Sequence, residues 1–183
     1  MKKITFLFFF LICLGSYAQV INEVDADQAS TDTEEFIEIK HTPNTPLDGH
    51  VIVLFNGSDD ASYAAYDLDG YSTDANGFFI LATTALAVQG DYDLGADNKI
   101  QNGADAVALF LGNDSDFPND TPATTTNLVS AVAYDTNDSD DTALLTALGL
   151  SAQYNEGENG QQNTQSIQRK DDGTYGTADT TFR

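Results

Sequence analysis

Alternation of apolar and polar residues is clearest in two short segments near the start of the chain. The segments 20–24 and 35–40 each combine β-branched or aromatic residues with acids at nearly alternating positions. Such alternation is typical of a strand that has one face in a protein core and the other in water. The two segments therefore predict a pair of antiparallel strands.

The rest of the chain predicts further short strands separated by turns. Residues 51–55 form an unbroken apolar run, which is expected of a strand buried on both faces, and Asn56-Gly57 after it is a strong turn signal. The other predicted strands are 61–67, 78–82, 104–111, 128–134 and 166–169. About eight short strands with turn residues between them predict an all-β sandwich.

One short helix is predicted after the strand 128–134. Asp140 or Asp141 can cap its start, and Leu144, Leu145 and Leu148 lie at helical spacing on one face. Gly149 follows, as is common after a helix C-terminus.

Residues 1–18 predict a cleaved secretory signal peptide. Lys2 and Lys3 precede an apolar run from Phe6 to Leu14, and Ser16 and Ala18 place small side chains at the positions that a signal peptidase reads. We therefore expect residues 19–183 to form a single domain that is extracellular or periplasmic. Cys13 lies inside the apolar run and follows Ile12, where a lipid-attachment site needs a small residue, so no membrane anchor is expected.

The charge of the chain disfavours several classes of partner. Asp and Glu number 29 against 7 Lys and Arg, which gives a formal net charge of −22. Without Lys2 and Lys3 the net charge is −24. A surface this acidic repels phosphate backbones and anionic membranes, so we expect no direct binding of nucleic acid.

Several segments, taken in order, resemble a bacterial lamin tail domain. The resemblance begins with Ile21-Asn22-Glu23 and the segment 35–39. It continues with Leu47-Asp48-Gly49, with residues 77–81 and 101–109, and with Ser166-Ile167-Gln168-Arg169. The family implies an immunoglobulin-like β-sandwich and a non-catalytic module of the kind found beside secreted nucleases and phosphoesterases. Because no catalytic domain follows in this chain, we expect any partner enzyme to be a separate protein.

Motifs of common catalytic sites are absent from the sequence. It contains no Gly-x-Ser-x-Gly turn and no glycine-rich phosphate loop, and its two histidines, His41 and His50, lie beside predicted strands. Catalysis would have to come from clustered carboxylates, as in a metal-dependent hydrolase, which is the weakest of the functional hypotheses.

Calcium is the one ligand for which the sequence offers a pattern. Asp135, Asn137, Ser139 and Asp141 alternate along one loop, as oxygen ligands of a calcium loop do. Thr146 stands where such a loop needs a bidentate Glu. The alternative is an ordinary acidic loop that caps the helix.

Two other acidic stretches are weaker candidates for cation binding. Asp67 and Asp69, followed by Asp74 and Asn76, form one of them, and the pair Asp25 and Asp27 forms the other. The alternative is that these residues only shape turns, since Asp and Asn hydrogen-bond readily to nearby backbone.

Glu23 and Glu38 interrupt the first two strands with carboxylates that would face each other. Two buried acids side by side are unfavourable unless a counter-charge or hydrogen bonds satisfy them. Arg169, on the last predicted strand, is the candidate, and we expect it to form a structural ion pair with both.

The function predicted from the sequence is a secreted, non-enzymatic binding, adhesion or scaffold module. Its partner would be an extracellular protein or glycan, and it would require no cofactor, with calcium stabilising the acidic loops. The alternative is an accessory protein of an extracellular nuclease or phosphoesterase.

Overall fold

The computed structural model describes residues 19–28, 30–86, 90–157 and 159–182. The signal peptide predicted for residues 1–18 lies outside the described residues. The described part contains eleven strands and one short α-helix. They are β1 Val20–Asp25, β2 Phe36–Lys40, β3 His50–Asn56, β4 Ala61–Asp67, β5 Phe78–Ala82, β6 Tyr92–Asp93, β7 Asp105–Leu111, β8 Leu128–Asp135, α1 Thr142–Leu148, β9 Gln153–Asn155, β10 Gln165–Arg169 and β11 Tyr175–Asp179.

The strands form two sheets that pack as a sandwich. One has the order β11-β10-β1-β2-β5-β6 and the other the order β4-β3-β7-β8-β9. Most neighbours are antiparallel, but β5 pairs with β6 and β8 pairs with β9 in parallel. The predicted all-β sandwich is confirmed, and the eight expected strands all form.

The strand count is higher than predicted because three more strands form. β6 and β9 lie outside the predicted strands, and they contain only two and three residues. Neither strand is long enough to show an alternation of apolar and polar residues. Each is therefore defined only by its pairing with the neighbouring strand. β11 has the sequence Tyr-Gly-Thr-Ala-Asp, which lacks apolar alternation, and it is held by five paired positions on β10.

The core explains why β3 is apolar at every position. Ile52 and Leu54 point into the layer between the sheets, together with Ile37 and Ile39 of the opposite sheet. Val51, Val53 and Phe55 point to the other face, where α1 covers them with Leu144, Leu145 and Leu148. The prediction of a strand buried on both faces is therefore confirmed.

Helix α1 begins and ends where the sequence predicts. The Oδ1 atom of Asp141 accepts hydrogen bonds from the backbone N–H groups of Ala143 and Leu144, both at 2.9 Å. Gly149 closes the helix with φ of +67°, in the left-handed region that glycine adopts without strain. No helix of the described residues is long and apolar enough to cross a membrane.

Candidate functional site

The alternating residues of the loop 135–141 have different environments. Asp135 ends β8 with 1% of its surface exposed, and its Oδ2 atom accepts a hydrogen bond from Nε2 of Gln153. Asn137 and Ser139 are exposed, and Asp141 turns back to cap α1. The helix-capping alternative is therefore correct for Asp141.

A cavity next to this loop gathers a different set of carboxylates. Its volume is about 290 Å³, and Asp105, Asp138 and Asp141 line it together with the turn 56–58. Asp105 begins β7 and is only 3% exposed. Its Oδ1 atom accepts a hydrogen bond of 2.9 Å from the N–H of Gly57. Its buried Oδ2 atom makes no hydrogen bond of normal geometry among the described residues, although the backbone N–H of Gly103 lies near enough to favour the charged carboxylate.

Gly57 allows the walls of the cavity to approach each other. A Cβ atom at this position would lie 2.0 Å from the backbone oxygen of Ala104 and 3.0 Å from Oδ2 of Asp141. The first distance is far shorter than any real contact of a Cβ atom, so only glycine fits without a backbone shift. The Asn-Gly pair predicted as a turn therefore also sets the shape of the cavity.

Carboxylates around the cavity interact with one another. Burial raises the pKa of Asp105, and the nearby charges of Asp138 and Asp141 raise it further. The pKa of Asp60 is also raised, by desolvation and then by Asp141. In the part of the chain that the structure describes, no group of three or more His, Cys, Asp or Glu side chains is arranged to hold a metal ion. A cation shared by Asp105, Asp138 and Asp141 would therefore require the loop to move.

Sequence reasoning missed Asp105 and Asp138 as partners of Asp141. Asp105 lies 30 residues or more before the acidic loop, and only the pairing of β7 with β8, which places it opposite Tyr134, brings the two together. No spacing rule along the chain could have revealed this contact.

The acidic stretch 67–76 is built from turn residues. Asp67 accepts a hydrogen bond from the N–H of Asp69 at 2.7 Å, and Asp69 accepts one from the N–H of Gly49 at 2.6 Å. Asp74 accepts from the N–H groups of Asn76 and Phe78, both at 2.8 Å. These bonds hold the pKa of Asp74 below its usual range, the bond from Phe78 most. The carboxylates of this stretch therefore accept hydrogen bonds from backbone N–H groups, those of Asp67 and Asp74 within the stretch and that of Asp69 from the turn at Gly49.

Asp25 belongs to a group of buried carboxyls that the sequence did not reveal. It is 4% exposed and accepts hydrogen bonds from Gln28 at 2.5 Å and Thr180 at 3.0 Å. Burial raises its pKa to about 7.

Glu156, which is fully buried near Asp25, accepts a hydrogen bond from the backbone N–H of Ala26. Burial, and then the charge of Asp25, raise the pKa of Glu156 to about 10. Asp27, the other member of the predicted pair, is half-buried and its pKa is raised chiefly by desolvation.

Glu35 is a second buried carboxyl with a structural role. It is fully buried and accepts the backbone N–H groups of Lys99 and Ile100, both at 2.7 Å. Burial raises its pKa to about 7, although these two bonds favour the charged form. The group thus holds the loop before β7 against the start of β2.

Glu23 and Glu38 face each other across β1 and β2, as expected, and both are buried. Glu23 accepts from the hydroxyl of Ser166 at 2.5 Å and from the N–H and the hydroxyl of Thr181 at 2.9 and 2.7 Å. Glu38 accepts from the side-chain amide of Asn22 at 2.6 Å.

The expected position of Arg169 between these acids needs correction. Gln168, and not Arg169, lies opposite Glu23 in the register of β1 and β10. Because side chains alternate along a strand, Arg169 turns to the other face, and it is exposed. Hydroxyl and amide groups surround Glu23 in place of a buried guanidinium.

His50 is held by its own turn, with Nδ1 at 3.1 Å from the backbone oxygen of Leu47. This contact gives it a structural role.

Comparison of the chain with models of known protein families, with curated proteins and with solved structures gives no match. Function is therefore inferred from the side chains of this chain alone.

Proposed function

We propose that the chain is a secreted, non-catalytic binding domain of lamin-tail type whose acidic loops are stabilised by calcium. The observation that carries this proposal is the cavity beside Gly57, where the buried carboxylate of Asp105 keeps one oxygen without a hydrogen bond of normal geometry in the described structure. A buried charged oxygen is costly unless it is paired, and a cation would supply the missing partner.

The chemistry of the cavity fits calcium better than other common ions. Its ligands would be carboxylate oxygens of Asp105, Asp138 and Asp141, and Ser58 and Gln101 also line the cavity. Calcium takes six to eight oxygen ligands in variable geometry, so it tolerates small movements of the loop. Magnesium demands a stricter octahedron and gives up its water reluctantly.

Calcium in this cavity would tie three separate loops together. The turn after β3, the residues before β7 and the segment before α1 all contribute to its walls. Fixing loops on a rigid sandwich lowers the entropy that a binding surface loses when it meets a partner. The buried carboxyls elsewhere support a non-catalytic role, since Glu23, Glu35 and Glu156 are engaged by hydrogen bonds from the domain itself.

Millimolar calcium is expected to raise the melting temperature of residues 19–183. For a weak extracellular site with a Kd on the order of 10⁻³ M, 10 mM calcium adds about 1.4 kcal/mol through mass action. For a domain of this size that corresponds to a rise of about 3–6 °C, which scanning calorimetry would detect. Asp105→Asn removes one charge from the cavity and is expected to abolish most of the rise.

The control is Asp97→Asn, which removes one negative charge from an exposed position outside the cavity lining. It should keep the full response to calcium. Equal rises from calcium, magnesium and sodium chloride at matched ionic strength would contradict a specific site, because they would reflect screening of the net charge alone.

A further inference from the structure

A cleft at one end of the first sheet collects most of the positive charge of the described chain. Its volume is about 660 Å³, and its lining includes Lys40, His41, Arg169 and Lys170. Apart from Lys2, Lys3 and Arg183, which lie outside the described residues, the chain has four Lys and Arg residues, and three of them line this cleft. Such a concentration is unexpected in a chain with a net charge of −22.

The strand order brings these cations together. β1 lies between β2, which ends at Lys40, and β10, which ends at Arg169. Both neighbours run antiparallel to β1, so their last residues lie at the same end of the sheet, beside the start of β1. Two residues that are far apart in the sequence thus meet at the cleft.

Each cation is positioned by a contact with the domain. Nζ of Lys40 lies 4.8 Å from the centre of the Phe78 ring, a cation–π contact. A Cβ atom on Gly173 would lie 3.1 Å from Nη2 of Arg169, and one on Gly176 would lie 2.5 Å from Nζ of Lys170. The two glycines therefore let both side chains lie close over the β10–β11 hairpin.

Polar groups other than cations also line the cleft. The side-chain amides of Asn22 and Asn76 donate to Glu38 and Asp74, which leaves their amide oxygens to act as acceptors. The buried Nδ1 atom of His41 has no hydrogen-bond partner among the described residues. Asp171 also lines the cleft, so its formal charge is +2 with His41 neutral.

This mixture selects a particular ligand chemistry. Ammonium and guanidinium groups recognise carboxylates and sulfates, and amide oxygens accept hydrogen bonds from hydroxyl groups. A single-stranded nucleic acid would also need aromatic rings on which its bases stack. The aromatic ring beside the cleft, Phe78, is covered by Lys40. The volume falls within the range of small-ligand sites, about 300–1,000 Å³, and suits a short saccharide segment.

We propose that this cleft is the ligand site of the domain and that it binds an oligosaccharide bearing carboxylate or sulfate groups, an inference that rests on the binding role proposed above. At physiological salt the Debye length is about 8 Å, so an anion in the cleft interacts mainly with the local cations. Glu38 and Asp74, which accept hydrogen bonds from Asn22 and Asn76, and Asp172, which interacts with Lys170, also lie near the cleft. The more distant acids, which set most of the net charge, are largely screened.

Isothermal titration calorimetry at 0.15 M NaCl tests the proposal on residues 19–183. The probes are tetragalacturonate, sulfated maltotetraose and neutral maltotetraose. Binding of either acidic tetrasaccharide, with no heat from the neutral one, is the expected result, and the stronger of the two acidic probes identifies the anionic group. Arg169→Ala and Lys40→Ala are each expected to weaken the affinity at least tenfold.

Lys99→Ala is the matched control, because it removes the same charge from the one described cation outside the cleft lining. It should change the affinity less than twofold. The proposal is overturned if neither acidic probe binds, if Lys99→Ala weakens binding as much as Arg169→Ala does, or if polyglutamate or an oligonucleotide binds more tightly than both acidic saccharides.

The calcium response separates this inference from the proposed function. Arg169→Ala and Lys40→Ala should keep both the melting temperature of the wild-type protein and its rise with calcium. If Arg169→Ala and Lys40→Ala lose both saccharide binding and the fold, Lys170→Ala decides, because Lys170 also lines the cleft. A folded Lys170→Ala protein with weakened binding would support the proposal, and one with unchanged binding would overturn it. Absence of a calcium response with intact, cleft-dependent saccharide binding would reject only the calcium site.

Discussion

The free energy of unfolding is expected to fall by several kcal/mol as the pH rises from 5 to 9. Glu156 has its pKa raised to about 10, and Asp25 and Glu35 have theirs raised to about 7. In the unfolded chain these carboxyls ionise near pH 4. Between that pH and the raised pKa of each group, unfolding therefore releases a proton, and a higher pH favours the unfolded state. Each pH unit over which one such proton is released costs about 1.4 kcal/mol. Urea unfolding at a series of pH values measures the slope.

The pH window differs between the three groups. Their stabilisation is fully present below the unfolded pKa values, and that of Asp25 and Glu35 is lost as the pH rises through about 7. That of Glu156 continues to decline until about pH 10. Asp74 has a lowered pKa and acts in the opposite direction, with stability lost in acid. Because Asp74 is exposed, its contribution is small, and the stability maximum should lie near pH 5.

Glu156→Gln isolates the largest of these effects. The amide keeps an oxygen that can accept the N–H of Ala26 but cannot ionise. We expect this variant to be more stable than the wild type by about 5 kcal/mol at pH 8, with little difference at pH 4.5. Asp97→Asn removes an exposed acid and serves as the control. A stability maximum near pH 8 in the wild type, or an unchanged pH slope in Glu156→Gln, would refute this account.

Glu23→Ala is expected to destabilise the domain by about 3 kcal/mol or more. The change removes the acceptor of the Ser166 hydroxyl and of the N–H and hydroxyl of Thr181. A buried donor left without a partner costs about 1–3 kcal/mol, and the pairing of β1 with the last segment of the chain would weaken with it. The shift of the urea midpoint at pH 7 measures the loss.

Arg169→Ala provides the contrast, with an expected cost below about 1 kcal/mol because the side chain is exposed. Lys170→Ala, on the next residue, controls for the loss of one positive charge. A urea midpoint for Arg169→Ala as low as that for Glu23→Ala would instead support the ion pair of Arg169 with Glu23 and Glu38 that the sequence predicted.

Local sequence patterns were sufficient for elements whose stability comes from their own residues. The alternation in β1 and β2 and the continuous apolar run of β3 identified strands that the structure contains. The Asp141 cap and Gly149 marked both ends of α1, because capping bonds join residues only a few positions apart. The placement of Glu23 opposite Glu38 was also predicted from these two strands. Their burial was not, because the alternation predicts a water-facing side for the acids.

Tertiary structure decided which distant residues share a site. Asp105 meets Asp138 and Asp141 because β7 pairs with β8, and Lys40 meets Arg169 because β1 lies between β2 and β10. Strand register is a property of two segments at once, so a pattern along one segment cannot specify it. The sequence by itself therefore determined an acidic all-β sandwich and its main strands. Only the packing of the sheets decided which acids form the cavity, which cations form the cleft and why Arg169 faces solvent, since those contacts depend on register and burial rather than on spacing along the chain.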